Sequence, residues 1–197
     1  LGAAWLALGV AFAVFFAGGG SGTVRILTGG PGALAVAVGV SLVTAGVGFL
    51  LHELGHKVAA TRFGRVAHFR ADYGMLFIAL ISALVGFLFA APGAVYHAGV
   101  ESSRREHGLI ALAGPAVNVA LALAFAPVVL LASGGVVELV GSRGVAINLF
   151  LAAFNLVPFG GLDGRTVRRW SNAVWVGAFV PCVAATVYVV FVRGVGL

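Results

Sequence analysis

Six apolar runs, at residues 1–17, 33–60, 74–95, 108–132, 144–157 and 172–192, dominate this chain. A bilayer's hydrocarbon core is about 30 Å thick and needs roughly 20 apolar residues to be crossed as a helix. Hydrophobic residues make up 61% of the sequence and charged ones 9%, far from the balance of a water-soluble domain of this length. The expected architecture is an all-α polytopic membrane protein with about five to six transmembrane helices. Segment 74–95 carries the break Ala91-Pro92-Gly93-Ala94, so it is expected to be re-entrant, or strand-like at its end. A single domain over 1–197 fits the length, with its core at 33–170 and peripheral spans at 1–17 and 172–192.

The second run ends in His52-Glu53-Leu54-Gly55-His56. Histidines four apart share one helix face, so both imidazoles can reach one metal ion. Glu53, beside them, can take a proton from the water that such a metal activates. A zinc site of this kind needs a third protein ligand and an open position. Asp163 stands out, because an ionisable residue at membrane depth is costly and marks function by default. Its other reading is an interfacial aspartate paired with nearby Arg165. A His, His, carboxylate set suits zinc, one ion per chain.

These residues resemble the site-2 protease family of intramembrane zinc metalloproteases. The resemblance rests on His52-Glu53-Leu54-Gly55-His56, then Gly114-Pro115-Ala116-Val117-Asn118, then Asn155-x-x-Pro158 leading into Leu162-Asp163-Gly164. It covers roughly residues 33–170, with the three motifs in the family's order. It implies that His52, His56 and Asp163 bind zinc and that Glu53 is the general base. It also implies that Asn155 stabilises the oxyanion or positions substrate, and that Gly114 to Asn118 shapes the adjoining helix. Asn118 itself reads equally as a structural bond between helices or as a substrate-binding, catalytic group. A strand-like element in such enzymes holds extended substrate, and Pro92, Gly93, Ala94 and Val95 are placed to supply it by strand addition.

Charge and topology can be checked against each other. Glu53 and Asp163 lie near the C-terminal ends of their runs. Sharing one ion requires those helices to be parallel, so only one of the two intervening runs can cross fully. With 74–95 folded back, Lys57, Arg62, Arg65, Arg70, Arg104, Arg105, Arg165, Arg168 and Arg169 share one side, and Arg25, Arg143 and Arg193 the other. The positive-inside rule then makes the larger group cytoplasmic, in the cell membrane, with the metal just below that surface. The net charge of +6 is thus a topology signal with no nucleic-acid partner implied. The lone Cys182 sits in an apolar run and forms no disulfide within the chain.

The expected function is zinc-dependent hydrolysis of peptide bonds within or near transmembrane segments of other membrane proteins, with the lipid bilayer as the working medium. The alternative is a non-catalytic membrane metal-binding protein, either a zinc carrier or a degenerate protease scaffold. A carrier needs metal-binding groups along a path, whereas His68, His97 and His107 are scattered in or near loops.

Overall fold

The computed structural model describes residues 2–18, 28–87, 93–98 and 103–194, with 93–98 described as backbone. Four of its helices are long and apolar enough to cross a membrane, among the described residues. In chain order the first helix is α1, Gly2–Phe16. The first long helix is α2, Pro31–Arg62, opened by a proline in its first turn and interrupted by a π-turn at Leu42–Gly46. Strand β1, Val66–Ala71, leads into the short helix α3, Tyr73–Leu84, and strand β2, Gly93–Ala98, follows. Then come α4, Arg104–Leu131, and α5, Gly135–Asn155. An eight-residue helix α6, Asp163–Trp170, precedes α7, Asn172–Val192, whose last turn is again π.

Short polar side chains set several of these starts. Asp72 caps α3 by accepting from the Met75 N–H at 3.0 Å, and Ser103 caps α4 by accepting from the Glu106 N–H at 3.2 Å. The helices then pack through small residues, as membrane helices must when lipid offers no hydrophobic contrast. Ala111 on α4 meets Ala152, Ala153 and Leu156 around the end of α5, with Val167 and Cys182 closing the cluster. A second cluster joins Ala4 and Leu8 of α1 to Phe49 of α2 and Leu76 of α3. Large apolar side chains such as Leu123, Leu130, Leu131 and Phe191 point outward, which suits a hydrocarbon solvent.

The two strands pair antiparallel from Val66 opposite Ala98 to Ala71 opposite Gly93. Ala71 and Gly93 are therefore neighbours. The helix α3 has 12 residues, roughly 18 Å, shorter than the core of a bilayer. His56 beside Ile110 and Gly48 beside Asn118 make α2 and α4 antiparallel; Asn118 beside Asn148 and Ala111 beside Ala152 make α4 and α5 antiparallel, so α2 is parallel to α5.

Among the described residues four helices are long enough to cross, and α1 and α3 are shorter apolar helices. The polar segment 61–73 contains β1, whose side chains alternate in exposure as in a half-covered strand. Residues 135–143 belong to α5, whose small residues let it pack closely: a Cβ at Gly141 would meet Val128 and Val129 of α4, and one at Gly144 the Phe125 ring. Gly93, Ala94 and Val95 open β2, while Pro92 lies outside the described residues.

Candidate metal centre

His52 and His56 point from one face of α2 towards α4, and both are buried. Asp163 comes from the first residue of α6, carried there by the turn that ends α5. That turn is tight: a side chain at Gly164 would collide with the backbone at Leu156, so residue 164 has to be glycine for residue 163 to sit where it does. The His52 Nε2 to His56 Nε2 distance is 3.0 Å. Asp163 Oδ2 lies 3.3 Å from His52 Nε2 and 3.2 Å from His56 Nε2. Zinc bonds of about 2.0–2.1 Å in tetrahedral geometry put ligand atoms roughly 3.3–3.4 Å apart. The three atoms are thus spaced as one ion would space them.

The hydrogen bonds behind the imidazoles fix which nitrogens face inward. His56 Nδ1 donates to the Ile110 carbonyl at 2.8 Å, an oxygen that can only accept. His52 Nδ1 lies 2.6 Å from Asn118 Oδ1. Asn118 Nδ2 is committed as a donor to the Gly48 carbonyl at 3.1 Å and to Asn148 Oδ1 at 2.9 Å. Asn148 Nδ2 in turn donates to the Gly144 carbonyl at 2.9 Å. This chain leaves Asn118 Oδ1 as an acceptor, so His52 Nδ1 carries the proton. Both Nε2 atoms are then bare lone pairs facing each other and a carboxylate. Neither has a hydrogen to share across their 3.0 Å separation. Such a cluster repels itself unless a cation sits within it, and a carboxylate with two oriented imidazoles is zinc's donor set.

Room for the ion comes from α4. A Cβ at Gly114 would lie against both Nε2 atoms. Glu53 sits in the same buried shell, and its Oε2 has no hydrogen-bond partner. A buried, unpartnered carboxylate oxygen beside the ligands is a basic group kept available. The Asp163 carboxylate, within 3.3 Å of both imidazoles, supplies the oxygen donor of the set.

The structure brings together His52, Glu53, His56 and Asp163 as the spacing predicts. Arg165 donates to the Gly160 carbonyl at 3.2 Å and does not pair with Asp163, which removes the interfacial reading of that aspartate. Asn118 is fully buried and its amide is engaged with His52, Gly48 and Asn148, the interhelical bond of its two readings. Asn155 ends α5 and donates back to the Leu151 carbonyl at 2.9 Å, with no bond to the three ligands. Asn148 was not anticipated, although a carboxamide inside the apolar run 144–157 was the available signal.

The comparisons agree with this chemistry. The chain is 40% identical over 154 residues to the "Putative zinc metalloprotease MJ0611" of Methanocaldococcus jannaschii, covering 77% of this chain and 81% of that protein. No family model matches the chain, and no solved structure does. Zinc is the cofactor that the relative and the His, His, Asp group both support. With that much of both chains aligned, this membrane-embedded chain belongs to the zinc metalloprotease family of its archaeal relative.

Proposed function

We propose that the protein is an intramembrane-cleaving zinc endopeptidase of the site-2 type, acting on peptide bonds within or near the transmembrane segments of other membrane proteins. The observation that supports this reading is that the metal centre is built between helices long and apolar enough to span a membrane. His52 and His56 lie on a membrane-spanning helix, and His56 is six residues, roughly 9 Å, before that helix ends at Arg62. Gly114 and Asn118 meet them from the interior of a second span. On this reading a substrate presents its bond among the spans.

Bound zinc supplies Lewis acidity, polarising the scissile carbonyl and acidifying water at the centre. His52, His56 and Asp163 hold it. Asn118 and Ile110 hold the two imidazoles in the tautomer that ligation needs. Glu53 accepts the proton of the attacking water at Oε2 and passes it to the leaving amine, which is why that oxygen has no other partner. A helical substrate hides its peptide bonds in its own hydrogen bonds, so it must unwind locally first. The β1–β2 pair beside α2 offers a template on which extended substrate can add as a strand, with Gly93 to Val95 at its start and Pro92 leading in. Asn155, one turn before the Asp163 loop, is assigned to the oxyanion or to substrate. By the positive-inside rule the metal-bearing end faces the cytoplasm across the cell membrane.

The test is cleavage of a panel of single-span membrane proteins by the purified chain, wild type beside Glu53→Gln, with zinc measured in both. Cutting by wild type alone, at equal zinc content, is the expected result. Cleavage that persists undiminished in Glu53→Gln removes the assigned base, and cuts confined to extramembrane loops sink the intramembrane reading.

A further inference from the structure

A cavity of about 520 Å³ opens at the basic end of the bundle, starting one turn along α6 from Asp163, lined by Arg104, His107, Thr166, Arg169 and Trp170. It lies between the first turns of α4 and the last turns of α6. Its floor is built. Trp170 packs directly against α4 where Gly108 has no side chain, and a Cβ there would run into the indole. Its rim is cationic: Arg104 and Arg169 are exposed, and neither has a carboxylate partner among the described residues. The acid closest in sequence, Glu106, is turned to Arg65 at 3.4 Å. The positive end of the α4 dipole adds to the same field.

We propose that this cavity binds the phosphate group of an anionic phospholipid. Two guanidiniums present paired N–H donors matched to phosphate oxygens. The Trp170 ring beneath them offers an apolar surface to the glycerol and upper acyl chain, and a tryptophan at this level is the usual occupant of a membrane interface. Basic pockets between helices at a membrane surface hold anionic head groups by this combination. The volume is that of a small-molecule site, ample for a phosphate with its glycerol. A free phosphate ion shares the polar half of the chemistry but leaves the Trp170 floor without a contact, which favours the lipid.

The test uses the zinc-loaded full chain in phosphatidylcholine nanodiscs containing a minority of phosphatidylglycerol, with retained lipid counted by native mass spectrometry. Wild type is expected to retain phosphatidylglycerol. Arg104→Gln with Arg169→Gln is expected to lower retention roughly tenfold or more. Arg62→Gln with Arg70→Gln removes the same charge from the same end of the molecule and is expected to leave retention unchanged. Equal retention in wild type and the Arg104/Arg169 variant overturns the site, as does equal loss in the two double variants. Inorganic phosphate added in excess separates the sources: failure to displace the lipid supports the phospholipid, and displacement overturns it in favour of free phosphate. Zinc content reports folding; should it fall in the Arg104/Arg169 variant, single Arg104→Gln is read in its place.

Discussion

Gly114 is the residue at which the metal centre is most vulnerable. Its missing side chain is the space between the imidazoles and α4, since a Cβ would lie against both Nε2 atoms. Gly114→Ala is therefore expected to abolish zinc binding while leaving helix content intact, read by metal analysis beside far-ultraviolet circular dichroism. An alanine variant that still holds one zinc would show that the ion sits elsewhere. The same scale shows how far residues speak for themselves. His52 and His56 were legible because a four-residue spacing has one meaning on a helix, and Asp163 because a carboxylate is rare at such depth. Asn148 was not read as part of the centre. It acts through Asn118 on His52, two hydrogen bonds removed from the ion, and no sequence spacing relates it to either.

At the scale of elements, the turn between α5 and α6 sets the third ligand. Gly164→Val is expected to push Asp163 out of line, because the added atoms would meet the Leu156 backbone. Zinc affinity should fall by roughly 10–100-fold, the range seen when a ligand's support is lost, measured by competition with a chelator of known affinity. Unchanged affinity would mean the turn can open at no cost. The helices themselves were legible because apolar length is a strong signal. Strand β1 was not read, because Arg65, His68 and Arg70 in a short polar stretch resemble a loop. Only pairing with β2, some thirty residues on, stabilises it as a strand. Arg143, grouped by charge with Arg25 and Arg193, lies on α5 with its guanidinium 4.4 Å from the centre of the Phe16 ring.

For the whole molecule, the decisive relation is that α2 and α5 run parallel while Ala71 and Gly93 lie side by side. Single cysteines in a Cys182→Ser background test it. Probes at Gly64 and Arg105 should label from the same face of sealed vesicles, and one at Ser133 from the opposite face. Labelling of Gly64 and Arg105 from different faces would mean that 72–92 crosses. One helix links the two halves of this arrangement. The N-terminal part of α2 and its π-turn pack on α1, whereas the part that carries the histidines packs on α4. A π-turn holds one residue more than the regular winding, and one residue is worth about 100° of rotation. Leu42–Gly46 therefore acts as a phase shifter: it lets a single continuous rod show one azimuth to α1 and another to the metal. Deleting Thr44 removes the extra residue together with its wide turn, so both imidazoles are expected to keep facing Asp163 and the variant to keep its zinc, whereas one residue inserted in the regular winding between Gly46 and His52 would swing them by about 100° and lose the metal.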